Sequence, residues 1–74
     1  MNQIFIKNEN GKILGSIDPS LITNSHVIGT DESSLTIVFN VNGSDVQFRG
    51  LSINAINTFY TEYNNWLTSV NIGQ

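Results

Sequence analysis

The Asn42-Gly43 pair, placed between two segments of alternating apolar residues, constrains the fold more than any other feature of the chain. Asn-Gly accepts the positive φ angles that a type I′ turn needs at both central positions, so the pair predicts a β-hairpin. Apolar residues alternate with others from Leu35 to Val41, which is the period of a half-buried strand. The central element of the fold is therefore predicted to be this hairpin.

A two-residue turn also fixes the register of the hairpin. It sets Phe39 opposite Val46 and Ile37 opposite Phe48 on one face. A four-residue loop keeps the same parity, because side chains alternate with a period of two residues. The other face is predicted to carry the pairs Asn40/Asp45, Val38/Gln47 and Thr36/Arg49.

The periodicity changes after the hairpin, where apolar residues recur at intervals of three and four. Ser52 is a suitable N-cap, since its hydroxyl can accept a hydrogen bond from a free backbone N–H. Leu51 and Ile56 occupy the positions of a hydrophobic staple around it. We expect a long amphipathic helix that ends within residues 71–73, with Gly73 as its cap. Its apolar stripe comprises Ile53, Ile56, Phe59, Tyr60, Tyr63, Trp66, Leu67 and Val70.

A second Asn-Gly pair, Asn10-Gly11, predicts another hairpin near the start of the chain. A tight turn there sets Ile4 opposite Ile17 and Ile6 opposite Gly15, which gives an apolar face. Phe5 and Leu14 fall on the reverse face. Two arrangements satisfy this pattern. Either the hairpin is covered on both sides, or Phe5 and Leu14 form part of an exposed binding patch.

The elements follow the order β-β-turn-β-β-β-α, with a turn at Asp18-Pro19-Ser20 and a third strand over residues 26–30. This order predicts one α+β domain, residues 1–74, because strands followed by a helix favour segregated packing. We expect an antiparallel sheet of about five short strands, including the two Asn-Gly hairpins, with the C-terminal amphipathic helix packed across one face. Across that contact, Ile37, Phe39, Val46 and Phe48 are expected to meet Ile56, Phe59, Tyr60, Tyr63 and Leu67.

Composition narrows the classes of function. The chain has no cysteine, which excludes disulfides and zinc-thiolate sites. Its net charge is −3 with only three basic residues, so we predict no binding to duplex nucleic acid. Met1 is not followed by a signal-peptide pattern, and no apolar run approaches the roughly 20 residues of a membrane span. We expect a cytoplasmic protein without a membrane contact.

His26 is the one side chain whose ordinary pKa lies near neutrality, and Asp31 and Glu32 are the nearby carboxylates. No nucleophile elbow, metal-ligand spacing or phosphate loop accompanies them. Because catalysis requires a convergent set of groups, we interpret His26 as a surface or strand-edge residue. We predict no enzymatic activity, no cofactor and no metal site.

The aromatic residues of the helix are the richest candidate binding set. Tyr63 and Trp66 lie towards its outer end, and aromatic side chains of this kind anchor protein interfaces. Core and interface both remain open for Trp66. We predict a small protein-binding module that uses Trp66, Tyr63, Phe5 and Leu14 to contact a protein partner or a second copy in a homodimer. The alternative is an oligomer that sequesters a nucleotide-like small molecule at a subunit junction through its Asn, Ser and Thr side chains.

The run Ser34-Leu35-Thr36-Ile37-Val38-Phe39-Asn40-Val41-Asn42-Gly43, followed by the helix from Ile53 to Trp66, resembles part of a known class. It is similar to the hairpin-plus-helix half of small phage-encoded inhibitors of the anti-CRISPR type. The resemblance spans about half the chain. It implies a phage or mobile-element protein that inhibits or modulates a host factor by steric occupation, and it assigns no functional residues.

Overall fold

The computed structural model describes residues 3–72, with side chains through Val70. It has five strands, one 3₁₀ turn and one α-helix, as the α+β prediction requires. The elements are β1 (Ile4–Lys7), β2 (Ile13–Ile17), the 3₁₀ turn (Pro19–Leu21), β3 (Ile22–Ile28), β4 (Leu35–Val41), β5 (Ser44–Leu51) and α1 (Ile53–Ile72). Within these residues no helix combines the length and the apolar character needed to cross a bilayer.

The strands form two antiparallel sheets, so the expectation of one sheet of about five strands is wrong. β1 pairs with β2, and a separate sheet has the order β3-β4-β5. The two sheets meet through side-chain packing at Gly15 of β2. A Cβ at this position would lie 2.6 Å from Cε1 of Phe48, so the ring lies directly against the backbone of β2. Packing at this contact takes the place of ladder hydrogen bonds between the hairpins.

The β4–β5 hairpin confirms the predicted turn and most of the predicted register. Asn42 and Gly43 both have positive φ angles, 53° and 85°, as a type I′ turn requires. Phe39 pairs with Val46, and Ile37 pairs with Phe48. The pairs Asn40/Asp45 and Val38/Gln47 are also present.

A β-bulge changes the register at the far end of this hairpin. Leu35 pairs with Leu51, whereas an unbroken register would place Gly50 there. Gly50 has a φ of +73°, which suits the residue that a bulge adds to one strand. The predicted Thr36/Arg49 pair falls within this shift.

The β1–β2 hairpin has the predicted pairs Ile4/Ile17 and Ile6/Gly15, but its turn is longer than two residues. The strands stop at Lys7 and Ile13. Asn8 organises the turn between them, since its side-chain Oδ1 accepts from the backbone N–H groups of Asn10 at 2.9 Å and Lys12 at 3.0 Å.

This longer turn adds a bulge to β2. Lys7 pairs with Ile13, which leaves Leu14 as the extra residue. A tight turn would have kept Ile13 on the same face as the buried Ile17. The shift instead places Ile13 opposite Lys7, where its side chain is 54% exposed.

Pro19–Leu21 form the 3₁₀ turn, with Asp18 as its N-cap. β3 then starts at Ile22, earlier than the predicted residue 26. The start of α1 is as predicted: Ser52 Oγ accepts from the backbone N–H of Ala55 at 3.1 Å. The predicted cap at Gly73 lies outside the described residues.

The buried core joins both sheets to α1 and consists of Ile4, Ile6, Ile17, Leu35, Ile37, Phe39, Leu51, Ile56 and Phe59.

Two residues expected in the core are at the surface. Val46 is 38% exposed and Leu67 is 37% exposed. Leu67 is exposed because it lies in the part of α1 beyond Phe59, the last buried residue in the described part of the helix. Between Phe59 and Val70 no described residue is fully buried. The second half of the helix therefore extends beyond the core.

Candidate functional site

The outer half of α1 carries an apolar surface that the rest of the described chain covers only in part. Tyr63 and Trp66 are half-buried, and Leu67 and Val70 are each 37% exposed. Intervals of three and four place these four residues on one side of the helix. The last charged residue before them is Glu62, so the surface is uncharged. We call Tyr63, Trp66, Leu67 and Val70 the α1 stripe.

A series of aromatic rings connects the α1 stripe to the core. The rings of Phe39 and Phe59, both buried, have centroids 5.0 Å apart. Phe59 stacks on Tyr63 at 6.0 Å, and Tyr63 stacks on Trp66 at 6.1 Å, each pair with an interplanar angle of 12°. Offset stacked rings attract one another beyond the area they bury. Trp66 is thus held at the surface by a partner that is itself held by the core.

Tyr60 links the same helix to β3 through its side chain. Its hydroxyl and that of Ser25 are 3.0 Å apart and form a hydrogen bond. Tyr60 also lies edge-on to Phe59, with ring centroids 5.4 Å apart. These contacts orient α1 on the three-stranded sheet. The α1 stripe follows them along the chain, in the outer half of the helix.

A second exposed apolar surface lies on the β1–β2 hairpin. Phe5 is 50% exposed and Leu14 is 37% exposed, so the exposed patch, one of the two predicted arrangements, is the one present. Ile13 pairs with Lys7 on the same hairpin and is exposed as well; it was missed, because the tight-turn register placed it on the buried face. The residue that could have indicated the longer turn is Asn8, because asparagine side chains accept hydrogen bonds from backbone N–H groups later in a turn. We call Phe5, Ile13 and Leu14 the hairpin patch.

The hairpin patch reaches α1 through a groove of about 190 Å³ that has Phe5 on one side and Ala55, Phe59 and Glu62 on the other. Pockets for drug-sized ligands usually have about 300–1,000 Å³, so the groove is small for a nucleotide-like molecule. Trp66 follows Glu62 by four residues, which places both on the same side of the helix. The predicted binding residues Phe5 and Trp66 therefore flank Glu62 along one side of α1.

Three titratable side chains, those of Lys7, Glu9 and Glu62, line the groove, and His26 is not among its lining residues. His26 is exposed on β3, opposite Val38, which confirms its predicted place on a strand at the surface. In the described residues, no group of three His, Cys, Asp or Glu side chains could hold a metal ion.

Two carboxylates, Asp18 and Asp31, have perturbed pKa values. Asp18 accepts hydrogen bonds from the hydroxyl of Ser20 at 2.7 Å and from its backbone N–H at 3.0 Å, and these bonds lower its pKa. The backbone N–H and then the hydroxyl of Ser33 lower the pKa of Asp31 in the same way. Both groups lie in turns and accept hydrogen bonds from a serine two residues later, so the shifts reflect local turn structure.

Comparisons of this chain with protein-family models, with curated proteins and with solved structures found no match. What the chain does is therefore inferred from its residues and their geometry. The resemblance of residues 34–66 to small phage-encoded inhibitors stays a prediction.

Proposed function

We propose that this chain is a non-catalytic protein-binding module whose contact surface is the α1 stripe. The observation that supports the proposal is the stacked series that ends in Trp66. A surface Trp that is already held in one orientation loses little conformational freedom when a partner covers it, which favours binding. Trp and Tyr are also enriched among the residues that dominate the energetics of protein interfaces.

The chemistry of the surface indicates the kind of partner. The α1 stripe has aliphatic residues, Leu67 and Val70, beside its two aromatic ones, and it carries no charge. Its complement is an apolar, uncharged patch on another protein, because burying an unpaired charge against this surface would be costly. Glu62 borders the stripe, and a basic residue at the edge of the partner's patch would complement it.

The proposed role is steric inhibition or modulation of a host factor by a phage or mobile-element protein acting in the cytoplasm. The support for this role is the resemblance of residues 34–66 to small phage-encoded inhibitors. Occupying a partner's surface needs a rigid docking face and no reactive groups. The α1 stripe is proposed as such a face, because the buried Phe39 and Phe59 support it through the stacked series that ends in Trp66.

The test is affinity capture from host-cell lysate with three forms of the chain: wild type, Trp66→Ala and Asn65→Ala. Asn65 neighbours Trp66 in sequence but is exposed outside the α1 stripe. A protein recovered by the wild type is then purified and titrated against all three by calorimetry. We expect Trp66→Ala to weaken its affinity by about 30-fold or more, as truncation of a central aromatic anchor does.

Circular dichroism of each variant establishes that it is folded before binding is compared. A folded Trp66→Ala that binds the purified partner as tightly as wild type contradicts the proposed contact surface. Loss of binding in both variants also contradicts it, because Asn65 lies outside the α1 stripe.

A further inference from the structure

Among the described strands, β3 is an edge strand of the three-stranded sheet, with β4 on one side only. Natural edge strands usually carry charged residues, proline or a bulge that prevents pairing with another chain. Residues 22–28 contain no Lys, Arg, Asp, Glu or Pro. The bulge lies at one end, between Ile22 and Asn24, and the residues from Asn24 to Ile28 pair regularly with β4. Most of this edge is therefore unprotected.

The sequence of β3 is also chemically symmetric about Ser25. Asn24 on one side corresponds to His26 on the other, and both are polar and exposed. Next come Thr23 and Val27, both β-branched, and the ends are Ile22 and Ile28. In an antiparallel pair of two identical strands centred on Ser25, Asn24 lies opposite His26 of the other copy, and the regular part of the pairing spans residues 24–26 because Thr23 lies within the bulge. Such self-complementarity is what a two-fold symmetric interface requires.

We infer that β3 pairs with β3 of a second copy of this chain, centred on Ser25, to form one continuous antiparallel sheet from the two three-stranded sheets. The self-complementary sequence favours a second copy as the occupant, and charge does not oppose it. The chain has a net charge of −3, yet none of its six acidic residues lies on β3, so pairing brings no like charges together. The interface does not use the α1 stripe, and it is independent of the proposed function.

The symmetry also places α1 of both copies on the same face of the joined sheet, because the two-fold axis of such a pair is perpendicular to the sheet. Tyr60, hydrogen-bonded to Ser25, lies beside this axis. Pairing of two short strands buries less than the roughly 800 Å² per partner of a standard interface. The dimer is therefore expected to be weak, with a dissociation constant in the micromolar range.

Single-cysteine variants test the register, since the chain has no cysteine of its own. The proposed pairing sets the two copies of Ser25 about 4.5–5.5 Å apart at Cα, which suits a disulfide. Val27 lies on the same strand and face and is 38% exposed, but its two copies would be about 14 Å apart. Under mild oxidation we expect Ser25→Cys to form a covalent dimer at least about fivefold faster than Val27→Cys. Equal rates for the two variants overturn the inference.

Charge variants on the exposed face away from α1 test the pairing without a covalent bond. Asn24→Glu with His26→Glu places Glu opposite Glu twice, whereas Asn24→Lys with His26→Glu places Lys opposite Glu twice. By sedimentation equilibrium up to several hundred micromolar, wild type should approach twice 8.2 kDa. The double-Glu form should associate about tenfold more weakly, and the Lys/Glu form should recover wild-type association. A wild-type mass of 8.2 kDa throughout, or equal association of all three, overturns the inference.

Discussion

The ring of Phe59 lies 5.0 Å from the ring of Phe39, and this contact fixes α1 to the centre of the three-stranded sheet. Both side chains are buried, at 4% and 0% exposure. Beyond Phe59 the helix makes no fully buried contact within the described residues. α1 thus has an inner half that stabilises the fold and an outer half that presents a surface.

Truncating Phe59 and truncating Trp66 should therefore have different effects on stability. We expect Phe59→Ala to lower the free energy of unfolding by about 3–5 kcal/mol, because it leaves a cavity in the core. Trp66→Ala should cost about 1 kcal/mol or less, since it removes one stacked, half-exposed ring. Urea unfolding measures both. If Phe59→Ala does not fold, Phe59→Leu serves instead, with an expected loss of about 1.5 kcal/mol. Equal losses at the two positions contradict the division of α1.

The close packing of Gly15 on Phe48 predicts a coupled pair. Gly15→Ala places a Cβ 2.6 Å from the present position of Phe48 Cε1, so the half-buried ring must move. We expect a loss of about 1–3 kcal/mol for Gly15→Ala alone and a clearly smaller loss in a Phe48→Leu background. A double-mutant cycle by urea unfolding measures the coupling. Additive losses would show that the two sheets do not meet at this contact.

Ser52 should stabilise the start of α1 through its hydroxyl. Its Oγ accepts from the N–H of Ala55 at 3.1 Å, and Ser52→Ala leaves that donor without its cap. We expect a loss of about 1 kcal/mol for Ser52→Ala, whereas Ser52→Thr keeps a capping hydroxyl and should lose less. Thermal unfolding of the two variants provides the comparison. A Ser52→Ala form as stable as wild type would contradict the capping role.

The two Asp-X-Ser turns predict a specific pH dependence. The pKa of Asp18 and that of Asp31 lie below the ordinary value of 3.8, so each carboxylate stabilises the fold fully above that pH. The contribution is lost as the pH falls through the lower pKa of the folded state. Ser20→Ala removes the larger cause at Asp18, so that pKa should rise, while Ser33→Ala should have the smaller effect at Asp31. NMR titration of the carboxyl carbons measures both, and an unchanged Asp18 pKa would contradict the assignment.

Local rules were enough to predict the β4–β5 hairpin and the start of α1. The φ angles of Asn42 and Gly43 fix the turn, and a period of two then fixes the pairing of Phe39 with Val46. Ser52 identifies the helix start because capping depends on residues within one turn. In each case the determining residues lie close together in the sequence.

The errors came from contacts between distant segments or from irregular backbone. Whether two hairpins share ladder hydrogen bonds depends on how their side chains pack, and the Gly15–Phe48 contact joins residues 33 positions apart. The extra residue at Leu14 moved Ile13 from the predicted buried face of the hairpin to its exposed face. For the candidate site, spacing predicted that Tyr63 and Trp66 share one side of α1. It could not predict that the core ends at Phe59.

The most direct test of the protein-binding surface uses the single tryptophan of the chain. Protein labelled with 5-fluorotryptophan gives one ¹⁹F resonance, from Trp66, which is followed while the purified, unlabelled partner is added. We predict that the resonance shifts or broadens in proportion to the complex formed and becomes insensitive to H₂O/D₂O exchange as the ring is covered. An unchanged resonance at a partner concentration that calorimetry shows to be saturating would contradict the assignment of the α1 stripe as the binding surface.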